Sequence, residues 1–267
     1  MKSSVCIFTA VMATFAVAAP ASEASDIEKR AVPTVWLAGD STMALGGGGG
    51  VTQGWGVYLP YSLTGVNVVN KAIGGRSARS FSDEGRFDAI AKDVVAGDIV
   101  IMEYGHNDGG SLTPTDNGRT DCVGAGSETC TTAAGVVVQT YPTYLTRAAK
   151  SMTAKGAKVI ISSPTPNNVC EGGTCSYTAP RFTEYGRIVV KNVGSAASFV
   201  DHGLYVANRY IALGAAATTA FYPTDHTHTS PAGADSVAGQ FVKALVCSKN
   251  PFLAAYVKNS TIVGTCA

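Results

Sequence analysis

This sequence has almost no excess charge of either sign, since 20 basic residues face 19 acidic ones among its 267 residues. Such a balance argues against nucleic acid as a partner. The zinc-protease pattern HExxH and Cys-x-x-Cys pairs are both missing, and only four histidines occur, so a zinc site has little support. The elbow G-x-S-x-G is also absent, which disfavours the α/β-hydrolase fold.

Long apolar runs are missing as well, because no stretch beyond the N-terminus approaches the roughly 20 residues of a membrane-spanning helix. At the N-terminus, Lys2 precedes a short apolar run that ends in small residues, which predicts a signal peptide over 1–19. An uncleaved membrane anchor is the alternative, and the shortness of the run disfavours it. The polar stretch 20–30 ends in Lys29-Arg30 and predicts a propeptide. We therefore expect a secreted, extracellular domain over 31–267, with no membrane partner.

Six of the seven cysteines lie outside the predicted signal peptide, which contains Cys6. Six cysteines permit 15 pairings, and an oxidising compartment favours disulfides over zinc ligation. Proximity in the sequence favours three short loops, which are Cys122–Cys130, Cys170–Cys175 and Cys247–Cys266.

Short β-branched runs alternate with helical patterns along the chain. Near-continuous apolar strands separated by helices are typical of a parallel sheet covered on both faces. We therefore expect one α/β domain with a five-stranded parallel sheet in a doubly wound, three-layer α/β/α arrangement. The predicted strands are 34–38, 66–70, 98–103, 158–162 and 198–201, and the predicted helices lie near 52–62, 84–95, 140–155, 181–195 and 231–246.

Glycine-rich polar turns follow the first three predicted strands. They read GDSTM at 39–43, GGRSARS at 74–80 and GHNDGG at 105–110, and none matches a phosphate loop. Ligands of open α/β sheets bind beyond the carboxyl ends of the strands, so these turns are where a site is expected. The run Gly46–Gly50 predicts a mobile loop.

Ser41 follows the first strand and is a candidate nucleophile, although a serine there can also cap a helix. A nucleophilic serine needs a base, and the segment DHTH at 225–228 offers one. Because Asp225 and His228 are three residues apart, the carboxylate can fold back onto the imidazole Nδ1–H and leave Nε2 free for the serine proton. We expect His226 to point away as a structural or substrate-side group. A metal site using both histidines would want a third ligand.

Acyl transfer also needs donors for the negative charge of its tetrahedral intermediate. The candidates are the backbone N–H groups of Ser41 and Gly75 and the side-chain amide of Asn107. Glycine lets its backbone approach a ligand closely, and a neutral amide donates without altering the proton balance. Each turn alone is a weak signal, because such residues are common in ordinary turns. Their joint occurrence at the ends of successive strands strengthens it.

Taken together, these residues resemble the four sequence blocks of the SGNH (GDSL-type) hydrolases, which have a flavodoxin-like α/β/α fold. The matching blocks are GDST at 39–42, the glycine at 75, GHND at 105–108 and DHTH at 225–228. The resemblance implies that Ser41 is the nucleophile, that Gly75 and Asn107 join the Ser41 N–H as the oxyanion hole, and that Asp225 and His228 complete the triad. It implies no cofactor and no metal.

Within that family, WLAGDSTMA, GRSARSF, EYGHNDGGSL, TDNGRTDC and DHTHTSPAGA resemble secreted fungal esterases of pectin breakdown. The similarity runs from about Val35 to Cys266 and implies an acetylated pectic polysaccharide, rhamnogalacturonan, as the substrate. We expect a monomer. The family pattern contains pairs at the positions of 122–130 and 247–266. Cys170 and Cys175 depart from it, so the loop at 167–180 stays open.

Galacturonate supplies a carboxylate in each repeat of such a substrate. Arg76 and Arg79 follow Gly75 and could pair with those carboxylates, and internal salt bridges are an equal alternative. Asn259 begins the N-glycosylation sequon Asn-Ser-Thr. Two other functions stay open: an esterase of the same fold acting on acetylated xylan or a lipid, and a noncatalytic glycan-binding protein that retains the fold.

Overall fold

The computed structural model describes Met1, residues 31–261 and residues 264–267. The predicted signal peptide and propeptide lie outside the described residues, apart from Met1. Within the described ranges, the longest apolar helices still fall short of what a membrane crossing needs.

The described residues form seven strands and eight α-helices, with two short 3-10 helices at Trp55–Val57 and Ala254–Tyr256. The strands are β1 (Thr34–Gly39), β2 (Asn67–Asn70), β3 (Ile99–Glu103), β4 (Thr129–Thr131), β5 (Val137–Gln139), β6 (Lys158–Ser162) and β7 (Ala197–Val200). The helices are α1 (Leu59–Ser62), α2 (Ala78–Asp83), α3 (Arg86–Asp93), α4 (Tyr141–Thr153), α5 (Arg181–Val193), α6 (His202–Leu213), α7 (Ala215–Thr219) and α8 (Pro231–Cys247).

A five-stranded parallel sheet with the order β2-β1-β3-β6-β7 forms the centre of the domain. Alternate residues of β1 face opposite layers: Trp36 packs among side chains of α2 to α5, whereas Val35 and Leu37 pack among those of α1, α6 and α8. Helices on both faces bury β1 and β3 completely, which explains why both strands are apolar without alternation. The predicted three-layer α/β/α fold is confirmed.

Some elements depart from the prediction. The helix expected near 52–62 is split into a 3-10 turn and α1, because Pro60 has no N–H to continue the ladder. Helices α2, α6 and α7 and the β4–β5 hairpin were not predicted. The signal for α2 was present, since Ser77 caps it through a reciprocal contact with Ser80.

Three disulfides join the pairs that proximity in the sequence favoured. Cys122–Cys130 ties the preceding loop to β4, and Cys247–Cys266 ties the end of α8 to the C-terminal segment. Cys170–Cys175 closes a tight loop after β6. The residues on both sides of that loop line a cavity of about 330 Å³, together with His106.

The carboxyl edge of the sheet is held by a buried polar network around Glu103, the last residue of β3. Its carboxylate accepts hydrogen bonds from Trp55 Nε1 at 2.9 Å and from the Ser162 hydroxyl, and it contacts His202 Nδ1 at 2.8 Å. These partners come from the 3-10 turn, β6 and α6. One buried carboxylate therefore fixes four elements just below the turns that carry the polar motifs.

Candidate active site

Ser41 lies in a tight turn at the carboxyl end of β1 and is buried. Asp40 shapes this turn, because its carboxylate accepts from the Thr42 N–H at 2.9 Å and its carbonyl accepts from Ala44 N–H at 3.0 Å. The sequence also allows Ser41 to cap a helix, but no helix begins at this serine. The backbone instead turns back to receive Trp55 N–H on the Thr42 carbonyl at 2.8 Å.

Ser41, His228 and Asp225 form a continuous hydrogen-bonded chain. Ser41 Oγ is 2.8 Å from His228 Nε2, and His228 Nδ1 is 2.7 Å from Asp225 Oδ2. Burial opposes ionisation of Asp225, but hydrogen bonds from the His228 ring and from two backbone N–H groups lower its pKa to about 2. The carboxylate therefore stays charged and keeps a proton on Nδ1, which leaves Nε2 as a base facing the serine.

The segment that carries this imidazole is held by the two residues that follow His228. Gln53 N–H donates to the Thr229 carbonyl at 2.8 Å, and Thr229 Oγ1 returns a hydrogen bond to the Gln53 carbonyl at 3.2 Å. Ser230 then caps α8 by accepting from Gly233 N–H. The residue after the base is thus hydrogen-bonded to the loop that follows Ser41.

The glycine run 46–50 covers one face of the His228 ring. A Cβ built on Gly48 would lie 2.5–2.7 Å from three ring atoms, closer than side chains pack. The expected mobile loop is instead fastened, because Thr52 Oγ1 accepts from Gly48 N–H at 2.9 Å and Gln53 Oε1 accepts from Gly46 N–H. Only a residue without a side chain can let this backbone pass so close to the imidazole.

The turn that carries the expected oxyanion donor Gly75 passes beside Ser41. Gly74 approaches the serine, since a Cβ on it would lie 3.7 Å from Ser41 Cβ. Gly75 follows with φ at 76°, a left-handed value that glycine adopts without strain. Asn107 Nδ2 donates to the Arg76 carbonyl at 3.1 Å, which brings the amide beside the same turn. Its second Nδ2 hydrogen can still be donated to a ligand.

Of the two arginines expected to bind substrate, Arg79 does not fit that role. It is 4% exposed and makes a bidentate contact with Asp116 at 2.7 and 2.8 Å, so it forms the internal salt bridge that was the alternative. Arg76 is partly exposed and pairs with Glu84 at 3.1 Å. The guanidinium that reaches the expected oxyanion hole is that of Arg119, which donates to Asn107 Oδ1 at 3.2 Å.

Two buried carboxyl groups lie directly behind Asn107. Asp121 N–H donates to the Asp108 carbonyl at 3.0 Å, and Asp108 Oδ1 accepts from Ala78 N–H at the start of α2. Burial raises the pKa of Asp108 to about 7. Burial, followed by the neighbouring Asp108, raises the pKa of Asp121 to about 10. The pair therefore retains a proton near neutral pH, next to the turn that carries Asn107.

His226 turns away from the triad, as the sequence predicted for the second histidine of the segment. Its Nδ1 lies 3.3 Å from Glu171 Oε2, and its carbonyl accepts from Asn168 N–H at 2.7 Å. It thus links the triad segment to the Cys170–Cys175 loop. Across the described ranges, groups of three or more His, Cys, Asp or Glu side chains suited to a metal ion do not occur.

Comparison with known proteins places these residues in context. The family model described as "GDSL-like Lipase/Acylhydrolase family" matches residues 37–235. A protein of Emericella nidulans named "Rhamnogalacturonan acetylesterase" is 52% identical over 218 residues, which cover 80% of this chain and 85% of that protein.

Solved structures share the fold at low sequence identity. YxiM of Bacillus subtilis superposes with a TM-score of 0.65 at 21% identity, over 83% of this chain and 58% of that one. A catalytic mutant of Axe2, an acetylxylan esterase of Geobacillus stearothermophilus, superposes with a TM-score of 0.56 at 19% identity, over 80% of this chain and 94% of that one. At such identities the likeness concerns the fold alone.

Proposed function

We propose that this chain, which belongs to the GDSL-like lipase/acylhydrolase family and is an ester hydrolase, removes acetyl groups from rhamnogalacturonan by acyl transfer through Ser41. The observation that supports the proposed substrate is the 52% identity to a rhamnogalacturonan acetylesterase across 80% of the chain. The chemistry is supported by the hydrogen-bonded order Ser41–His228–Asp225. No cofactor or metal enters the proposed steps.

In the first step, Ser41 Oγ attacks the acetyl carbonyl carbon while His228 Nε2 takes the hydroxyl proton. The carbonyl oxygen becomes an oxyanion, and the N–H groups of Ser41 and Gly75 and the Asn107 amide donate to it. The bond between the carbonyl carbon and the sugar oxygen then breaks. His228 gives its proton to that oxygen, so a free sugar hydroxyl leaves and an acetyl group stays on Ser41.

In the second step, a water molecule attacks the acetyl-enzyme. His228 Nε2 now takes the water proton, and the same donors hold the second oxyanion. The bond to Ser41 Oγ breaks, the serine recovers the proton from His228, and acetate leaves. Asp225 stabilises the imidazolium of both steps, which is consistent with its lowered pKa.

We also propose that the chain is secreted, processed after Arg30 and glycosylated at Asn259. Support comes from three disulfides, which persist in oxidising compartments. Asn259 is exposed, and its side chain accepts from Thr261 N–H at 2.9 Å, so the sequon lies at the surface. N-terminal sequencing of the protein recovered from culture medium tests the cleavage site. A mass shift on treatment with an N-glycosidase, lost in Asn259→Gln, tests the glycan.

The substrate is tested by acetate release from acetylated rhamnogalacturonan, acetylated homogalacturonan and acetylated xylan, with Ser41→Ala as the matched inactive control. We expect the highest kcat/KM on rhamnogalacturonan and loss of turnover by several orders of magnitude in the control. A clear preference for xylan would refute the proposed substrate. Near-normal turnover of p-nitrophenyl acetate by Ser41→Ala would refute the mechanism. Failure of a serine-reactive phosphonate to label the protein would favour a noncatalytic glycan-binding role.

A further inference from the structure

The loop 116–120 brings a cation to the expected oxyanion hole. Arg119 Nη1 donates to Asn107 Oδ1 at 3.2 Å and lies 3.6 Å from the place where a Cβ on Gly75 would stand. The guanidinium therefore contacts Asn107 and lies near Gly75, the two residues that are expected to hold the ester oxygen. It is partly exposed, so a bound substrate can reach it.

In the part of the chain that the structure describes, Arg119 has no carboxylate partner. Arg76, Arg79 and Arg187 each form a salt bridge with an acidic side chain. Arg119 instead contacts a neutral amide through one of its five N–H groups. A guanidinium that is partly desolvated without a carboxylate gains when an anion supplies the missing hydrogen bonds.

The position of this arginine is fixed by its loop. Buried Arg79 clamps both ends, because it binds the Asp116 carboxylate and donates to the Thr120 carbonyl at 3.0 Å. Inside the loop, Asn117 Oδ1 accepts from the N–H groups of Arg119 at 2.8 Å and Thr120 at 3.1 Å. A ligand-binding group held in this way loses little conformational freedom on binding.

We propose that Arg119 binds a uronic acid carboxylate of the substrate, next to the acetyl ester that is cleaved. This inference rests on the proposed function, in which galacturonate supplies a carboxylate in each repeat. A guanidinium recognises a carboxylate through two parallel hydrogen bonds, which fixes orientation as well as charge. With the carboxylate on Arg119, the neighbouring ester carbonyl falls over Gly75 and Asn107. Carboxylate binding, which the sequence suggested for Arg79, is thus assigned to Arg119, whose loop Arg79 holds in place.

The test measures acetate release from two acetylated substrates, one with a charged carboxylate and one in which a methyl ester removes that charge. One is an O-acetylated uronic acid as the free acid, and the other is its methyl ester; p-nitrophenyl acetate serves as a third, neutral ester. The variants are Arg119→Gln and Arg119→Lys, with Arg209→Gln on the exposed side of α6 as a control for the same loss of charge. Thermal unfolding of each variant verifies that it is folded.

We expect Arg119→Gln to lower kcat/KM on the free acid by about 10- to 100-fold, the range of a charge-assisted hydrogen bond. Acetate release from the methyl ester and turnover of p-nitrophenyl acetate should fall by a smaller factor, because these esters lose only the hydrogen bond that Arg119 donates to Asn107. The ratio of kcat/KM on the acid to kcat/KM on the methyl ester should therefore drop by about tenfold. Arg119→Lys should recover part of the preference for the acid, because it restores the charge without the planar pair of donors. Arg209→Gln should match the wild type on all three esters.

Equal losses on acid and neutral esters would overturn the proposal, because Arg119 would then act by orienting Asn107. Unchanged kinetics on all three would overturn it as well. The substrate pair separates this inference from the proposed function. If the enzyme does not act on acetylated rhamnogalacturonan but still prefers the acidic monomer through Arg119, the proposed polysaccharide is wrong. The assignment of Arg119 as the carboxylate-binding residue would then still hold.

Discussion

Replacing Gly48 by alanine should disable the base without disturbing the backbone. A Cβ at this position would meet His228 Cγ, Nδ1 and Cδ2 at 2.5, 2.6 and 2.7 Å, whereas ordinary contact begins near 3.4 Å. Ring or loop must therefore yield by almost 1 Å. Gly48 is not among the glycines with positive φ, so alanine itself is unstrained there.

The size of the effect follows from which side yields. Gly48 N–H is held by Thr52 and the loop by Gln53, whereas the ring is fixed by contacts to Ser41 and Asp225 at its edge. We expect the ring to move, which misaligns Nε2 from the serine hydroxyl. A misplacement of about 1 Å in a catalytic constellation costs about 100-fold in rate. Affinity for substrate should change little, because the loop contacts the base.

The assay is kcat and KM on p-nitrophenyl acetate together with the midpoint of thermal unfolding. Gly50→Ala is the matched control, because its Cβ would have no heavy atom within 4 Å but its φ is 60°. It should lower the free energy of unfolding by about 1–2 kcal/mol through left-handed strain and leave kcat unchanged. Should Gly48→Ala keep kcat within about threefold of the wild type, the argument that this glycine positions His228 would be refuted.

Three further changes test the remaining parts of the site. Asp225→Asn should lower kcat by about 10⁴-fold, because the tautomer of His228 is no longer fixed, and single-turnover acetylation rates would contradict this if they stayed normal. Asn107→Ala should lower kcat by about 100- to 1000-fold with KM little changed; a loss confined to KM would place the amide in ground-state binding. Asp121→Asn should flatten the dependence of stability on pH. Burial raises the pKa values of Asp108 to about 7 and Asp121 to about 10 from 3.8, so the native state holds extra protons and wild-type stability falls as pH rises from about 4 to about 10. Urea denaturation across this range checks the slope, and equal slopes in both proteins would contradict the shared-proton pair.

The sheet and the triad were predictable because their signals are local. Each predicted strand is a short β-branched run, and the structure places all five within one or two residues of the predicted bounds. His228 and Asp225 are three residues apart, so their hydrogen bond depends only on the local conformation of this segment. Strand order then brings β1 and β3 side by side, which places Ser41 beside the turn that bears Asn107 at the switch point of the sheet.

The arginines could not be assigned in the same way, because a guanidinium on a flexible stem takes its partner from the tertiary structure. Arg79 is 37 residues from Asp116 and 41 from Thr120 in sequence. Its position shortly after Gly75 in the sequence suggested an exposed site residue. In the structure, Arg79 lies in the first turn of α2, on the buried side of that helix. The role of Gly48 could not be predicted for the same reason. A glycine run in a sequence indicates a flexible loop, and its contact with the His228 ring depends on the tertiary structure.

The site divides into two halves with different tasks. The triad lies between the turn after β1 and the segment before α8, and it contacts neither Arg79 nor Arg119 through any of its hydrogen bonds among the described residues. The other half, on the turns after β2 and β3 and the loop 116–120, holds the expected oxyanion donors next to Arg119, which has no carboxylate partner among the described residues. In the mechanism that we propose, hydrolysis of a small neutral ester uses the triad and the donors, whereas selection of an acidic sugar also uses Arg119. Specificity for charged pectic substrates can therefore change through one loop while the acyl-transfer chemistry is preserved.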